Sequence, residues 1–475
     1  MDITIPALLM VANLGLFLAM CRRELFGRTI LLTPVVVFGA FEIISVWAAP
    51  FVAYADGTAL DGYPAAVVAL SFLAFLFGVA ATRYGLRVRA GEPRRFLEQP
   101  ILDRPGWGRS YGVGAVLLVG LLIGVGLLLY QGLPPQLRLF AEAIRQGQPL
   151  SLVMTDMSAY RFELSKAHLF GGAYRGQGIM RVFLSSGWLY VLCLALVRMV
   201  AARNSPERRR WAKRMAYLSV FSLFFVSGDG TRAPFIFLMA QLLTAYSLLM
   251  PLKKSAVAGV ALAGFALVVG LSLTSHKSMS WMRAQSPIQE GVQVVFERIS
   301  VGNGMSNVNI IELIREGTFD YMDGEVHLRG LLAALPGTHF SDQPFSNILA
   351  ETMSNRWTTT YLTSTYLGTL YHDFGLIGCL MGYALIGMVL QGAQHYFFRR
   401  PKRAASLPLV LLLFAYLGMI SLYGWISVLP KFAILACCDL VVRFLCRMRR
   451  APSNWVGEAT SGIPAVEAAG GGEKS

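Results

Sequence analysis

The chain is 475 residues long, 55% hydrophobic and 15% charged, with mean hydropathy +0.54 and a formal net charge of +15. A soluble globular domain is nearer a quarter charged, so that class is excluded. The basic excess falls between long apolar runs, where it marks cytoplasmic loops rather than a nucleic-acid partner.

In chain order, eleven apolar runs stand out, at about 3–20, 30–54, 63–82, 110–130, 179–199, 214–227, 233–250, 255–274, 365–397, 407–427 and 430–446. Runs of about 20 residues cross a hydrocarbon layer of roughly 30 Å, and helices are what satisfies the backbone over runs this continuous. The expected fold is an all-α polytopic membrane protein with about 11 transmembrane helices. The first run has no basic segment before it and is followed by Arg22 and Arg23, so it reads as a retained span rather than a cleaved signal. Loops after odd-numbered runs, with the C-terminal tail, hold about two-thirds of the 42 Lys and Arg residues, most densely at Arg203, Arg208, Arg209, Arg210, Lys213 and Arg214. That bias puts the N-terminus outside and the C-terminus in the cytoplasm. Residues 1–450 then form a single transmembrane domain, and 451–475, rich in Gly, Ala and Glu, a disordered cytoplasmic tail. The six cysteines sit in spans or at their inner ends without CxxC spacing, so neither a disulfide framework nor a metal cluster is indicated. Glu42 is the clear mid-span charge: either a proton or ion site, or a group paired against a neighbouring helix.

Two long segments face outward, about 131–178 and 275–364. Loops this long are functional or disordered, and these carry too many aromatic and amphipathic stretches to be disordered. The second, extended to Asp373, holds four of the six histidines (His276, His327, His339 and His372). It also holds Arg283, Arg298, Arg315, Arg329 and Arg356. Apolar spacing predicts helices within Val292–Leu313 and over Val326–Leu335, the latter stopped by Pro336-Gly337, lying on or just above the membrane.

Three constellations bear chemistry. Ser227-Gly228-Asp229-Gly230-Thr231-Arg232-Ala233-Pro234 joins two spans at the outward face, ahead of a helix that Thr231 and Pro234 can start. A helix N-terminus, glycine backbone and an arginine make an anion site, or a tight turn with Arg232 reaching lipid headgroups. Arg161, Lys166, His168, Arg175 and Arg181 lead into another such helix start, so Arg161 and Arg175 are phosphate ligands or salt-bridge partners of Asp156 and Glu163. Asp320, Asp323, Glu325, Asp342, Glu351, Asp373 and the histidines are candidate bases, and none has metal-ligand spacing.

With these residues in view, the chain resembles the Wzy-type O-antigen and oligosaccharide repeat-unit polymerases. The resemblance rests on the Ser227-to-Arg232 turn, where the family often has Ser-Gly-Ser-Arg and this chain inserts Asp229-Gly230. It rests also on the large late loop closing in Ser364-Thr365-Tyr366-Leu367-Gly368-Thr369-Leu370-Tyr371-His372-Asp373-Phe374-Gly375-Leu376-Ile377-Gly378, and on Arg161 followed by ten residues and Gly172. It implies a bacterial inner-membrane enzyme with a GT-C-like glycosyltransferase architecture and a large periplasmic helical loop. Its substrate would be an oligosaccharide on undecaprenyl diphosphate, and it would need no cofactor or metal. The lipid bilayer is its other partner, and a chain-length-determinant co-polymerase stays open. The residues expected at the diphosphate are Arg161, Arg175 and Arg232, then Arg298 and Arg356. The expected bases are Asp373, His372 and His339, with Tyr366 and Tyr371 along the sugar path. An O-antigen ligase-like glycosyltransferase and a polysaccharide transporter or flippase are the alternatives. The concentration of polar residues in one face's loops, without an internal repeat, disfavours the transporter.

Overall fold

A computed structural model of the chain describes residues 2–27, 29–88, 92–102, 107–130, 132–147, 177–202, 204–226, 233–255, 259, 302–328 and 365–448. In the first half, α1 (Thr4–Met20), α2 (Arg22–Leu25), α3 (Pro34–Ser45), α4 (Ala49–Ala55), α5 (Tyr63–Gly85), α6 (Glu92–Glu98), α7 (Trp107–Leu129) and α8 (Pro135–Gln146) follow one another. Then come α9 (Gln177–Ala201), α10 (Ser205–Val226), α11 (Ala233–Leu249), α12 (Gly302–Arg315), α13 (Tyr366–Phe398), α14 (Leu407–Gly418) and α15 (Ile420–Met448). Four stretches are long and apolar enough to cross a membrane, Pro34–Ala55, Tyr63–Gly85, Met180–Ala201 and Tyr366–Phe398, and four shorter apolar helices stand beside them. The chain is thus a helical, polytopic membrane protein.

Local chemistry sets several boundaries. Thr33 caps α3, its hydroxyl accepting from Val36 N–H at 3.4 Å, and Pro34 fills the first turn, where no N–H is needed. The apolar run at 30–54 is not one helix: it breaks at Val46–Ala48, and α4 restarts with Pro50 in its first turn. α10 begins nine residues before the apolar run expected at 214, because the side chain of Asn204 caps Glu207 N–H at 3.0 Å and the basic segment is helical too. The run at 255–274, apart from residues 255 and 259, lies outside the described residues, as does the tail beyond 448.

The largest departure from the expected layout is α13. At Gly375 (φ 63°, ψ −155°) the helix is broken into two arms, 366–374 and 376–398, that lie against each other. Tyr366 stacks on Tyr383 at 5.5 Å and donates to the Gly382 carbonyl at 3.3 Å, and Cys379 Sγ reaches the Leu367 carbonyl at 3.7 Å. A single straight helix would hold residues 366 and 383 about 25 Å apart, so the segment is a helical hairpin with Gly375 at its tip. The second arm alone is roughly 34 Å long, enough to span. The apolar first arm merges with it in a hydropathy reading, which is why one span was expected at 365–397.

α14 and α15 make a second hairpin. Lys431 lies over the Tyr416 ring at 5.4 Å, and Arg443 donates to the Ala405 carbonyl at 3.3 Å. Its tip is Gly424 (φ 65°, ψ 160°), a few residues before the break at about 428 that the runs had suggested.

The core of the bundle forms where α5 crosses the second arm of α13. Phe38, Phe72, Phe75 and Tyr383 interlock there, with Phe38 and Phe75 rings 4.6 Å apart. In the other half, α9 is buried on all sides: Trp188, Leu189, Tyr190, Val191, Leu192 and Cys193 are consecutive core residues. Three contacts tie together segments that lie between the helices: Thr29–Ile30 pairs antiparallel with Leu252–Lys253, Leu102 bridges Arg403, and Asp61 binds Arg315.

α12 realises the C-terminal part of the helix expected within Val292–Leu313. It is wedged in the bundle rather than lying free on a surface, with Met305, Ser306, Asn307, Val308, Ile310 and Ile311 all buried. Its buried amide is satisfied: Asn307 donates to Thr365 Oγ1 at 2.8 Å.

Candidate active site

The two glycine tips bring distant residues together. A backbone with φ near +63° and ψ near −155° is open almost only to glycine, and at Gly375 it turns the chain over immediately after Tyr371-His372-Asp373-Phe374. The segment 316–328 crosses this tip. Met322 N–H donates to the His372 carbonyl at 3.0 Å, and the Tyr321 ring lies against Gly375, where an added Cβ would stand 3.1 Å from it.

Asp373 is fully buried and accepts three hydrogen bonds from this segment. Val326 N–H reaches Oδ1 at 3.0 Å, His327 N–H reaches Oδ2 at 3.0 Å, and His327 Nδ1 also bonds Oδ2. With the carboxylate acting as acceptor, Nδ1 carries the proton, and Nε2 is the ring nitrogen left for another partner. Nε2 makes no hydrogen bond among the described residues. The ring is held in plane by Phe374 at 5.7 Å and by Trp425, stacked at 5.9 Å and 23°. Trp425 directly follows the second tip, Gly424.

A second tie fixes the start of the segment. Arg315, the last residue of α12, makes two bonds to Asp61, at 2.9 and 3.2 Å, and two to Glu312, at 3.1 and 3.4 Å, and lies 4.8 Å over the Tyr63 ring. Tyr63 accepts in turn from Tyr371 at 3.4 Å. Burial pushes the Asp61 carboxyl up, but Tyr63 N–H and the guanidinium outweigh it and hold it at about 2. Glu312 goes the other way: burial raises it, and Arg315 offsets this only in part.

The expected site residues divide accordingly. Asp373 sits at the centre of the cluster. His372 is buried beside Phe319 at 5.9 Å, on a different side of the arm from the carboxylate's partners. Tyr371 joins the Tyr63 tie, and Tyr366 points down the hairpin onto Tyr383. Arg161, Arg175, Arg232, Arg298, Arg356 and His339 lie outside the described residues. His327 and Trp425 were not singled out in the sequence. His327 was one of four equivalent histidines, and its partner stands 46 residues away. The nearest local signal was a histidine opening an apolar helical turn just after Asp323-Gly324. Among the described residues no three His, Cys, Asp or Glu side chains form a metal-holding group.

Glu42 is buried and paired: Tyr383 and Ser421 both hydrogen-bond its carboxyl oxygens. Of the two roles open from sequence, it meets the paired one.

A family model described as "Putative O-antigen polymerase" matches residues 176–428, just over half of the chain. That interval contains α12, both arms of α13, His327, Asp373 and Trp425. Neither the curated proteins nor the solved structures gave a match.

Proposed function

Because the chain belongs to the O-antigen polymerase family, we propose that it joins oligosaccharide repeat units carried on undecaprenyl diphosphate at the periplasmic face of the bacterial inner membrane. A hydroxyl of the acceptor sugar attacks the anomeric carbon of the growing glycan. The bond from that carbon to the diphosphate oxygen breaks, and undecaprenyl diphosphate leaves with the electron pair. The single observation that carries the assignment of a base is the Asp373–His327 pair at the two hairpin tips. Asp373 holds the tautomer and ring position, and His327 Nε2 takes the hydroxyl proton as the new bond forms. Asp373 is thus a positioning carboxylate in this reading, and the base is its histidine partner. The developing charge on the diphosphate needs fixed positive partners, a role we assign to Arg161, Arg175 and Arg232, with Arg298 and Arg356 behind them. The GT-C-like architecture is part of the same proposal.

The test is chain growth by the purified full chain in lipid, supplied with lipid-linked repeat units extracted from a strain lacking the polymerase. H327A should abolish growth while the protein remains folded in the membrane. Full activity of H327A would remove the base assignment, and full activity of both R232A and R161A would remove the diphosphate assignment.

A further inference from the structure

Glu42 is a buried carboxyl group within the bundle, and it touches both hairpins. It sits on α3 with about 1% of its surface exposed. One carboxyl oxygen bonds Tyr383, on the second arm of α13, and the other bonds Ser421, three residues before the tip at Gly424. A carboxyl group in apolar surroundings is costly, and it is kept where its hydrogen bonds fix a geometry that packing alone leaves loose.

The geometry at stake follows from the two tips. Gly375 and Gly424 are each sharp reversals, and they belong to separate hairpins. His327 is placed by the first hairpin through Asp373, and its ring plane is set by Trp425 from the second. The hairpins also touch directly where Phe397 packs on Phe414 at 4.7 Å, a contact many residues along each arm from its tip. The ring of Tyr383 is itself locked, stacked on Tyr366 and edge-on to Phe38 at 5.9 Å, so its hydroxyl is a rigid reference point. Ser421 is a short side chain on the rising end of the second hairpin, so its bond to Glu42 constrains the backbone that carries Trp425.

We propose that Glu42 is a positioning residue for the reaction. It clamps the α14–α15 hairpin to α13 through Ser421 and Tyr383, and so holds Trp425 against the imidazole of His327. The proposal rests on His327 being the base. Glu42 lies N-terminal to the matched interval 176–428, so this contact brings the first helices of the chain into the construction of the site.

The assay described above tests it, with E42L, E42Q, S421A and H327A in parallel. E42L keeps the bulk of the side chain and loses both hydrogen bonds. It should lower kcat per folded molecule by about ten- to a hundredfold, the order expected when a reacting group is misplaced by an ångström or less. KM for the lipid-linked unit should stay within about twofold, because no substrate contact is lost. E42Q still bonds both hydroxyls and should recover most of the turnover. S421A should lower kcat in the same direction without a change in KM, which keeps the proposal testable if E42L folds poorly. Turnover by S421A within about twofold of wild type would overturn the proposal, whatever E42L does. So would failure of E42Q to recover turnover. H327A separates the two ideas: a fully active H327A sinks the base assignment, whereas an inactive H327A beside a fully active S421A sinks only the role of Glu42.

Discussion

Two carboxylate–imidazole pairs involve α13, Asp373 with His327 just before the Gly375 reversal and His395 with Glu92 near the end of the second arm, and they are built differently. At one end Asp373 binds His327 Nδ1 along with two backbone amides, and no guanidinium or ammonium among the described residues touches it. At the other, Glu92 binds His395 Nδ1 at 2.8 Å, and Arg399 closes on its second oxygen with two bonds of 3.2 Å. The backbone is reversed beside the first pair and continuously helical through the second. Phe96, four residues after Glu92, packs against Phe397 and Phe398, and Lys402 donates to the Leu97 carbonyl at 3.2 Å. The same two functional groups thus make a staple where an arginine completes the charge and the loops close over it. They make a candidate base where no arginine shares the carboxylate and the imidazole sits at the reversed backbone between two hairpin tips.

Breaking each pair should separate these roles. H327A is expected to cut chain growth by about 10²–10⁴-fold, the range for loss of a general base, with little change in folded yield. H395A should leave turnover per folded molecule unchanged and instead destabilise the protein by about 1–3 kcal/mol, through an unsatisfied Glu92, read as a lower midpoint of thermal unfolding in detergent. If H395A and H327A lose turnover equally, the contrast between the two ends fails.

D373N sharpens the comparison. The amide has the size of the carboxylate but only one acceptor oxygen for three donors, so the ring of His327 loses its fixed tautomer. Turnover should fall by roughly 10²-fold with KM unchanged, whereas E92Q, still bridged by Arg399, should leave turnover alone. G375A probes the reversed backbone. A methyl group there meets a strained conformation worth about 1–3 kcal/mol and the Tyr321 ring at 3.1 Å. Both stability and turnover should drop, measured by unfolding and by chain growth.

The smallest effect is expected at the Arg315–Asp61 tie, a partly exposed pair worth at most about 1 kcal/mol. Folding lowers Asp61 from its usual 3.8 to about 2. Its contribution is therefore complete above about pH 4 and is lost as pH falls through about 2. R315A and wild type should differ in unfolding midpoint near neutral pH and converge at the acid end. A difference that grows on acidification would refute the tie.

The membrane class, most helix positions and the family were readable from residue order, because apolar length and charge bias act locally along the chain. Asp373 was named from the sequence as a candidate base in a motif-bearing segment, and the structure places it beside the Gly375 reversal, bonded to His327. His327 and Trp425 were not singled out. One was a histidine among four, the other an aromatic residue inside an apolar run, and each gained its meaning from a partner dozens of residues away. The hairpin at Gly375 was hidden for a related reason: a nine-residue apolar arm followed by a 23-residue one has the hydropathy of a single long span. Hydropathy measures how much apolar chain there is and carries no record of its direction. Reversal at one glycine, and contact between two reversals, come from three-dimensional packing, and in this protein that packing is what assembles the candidate base.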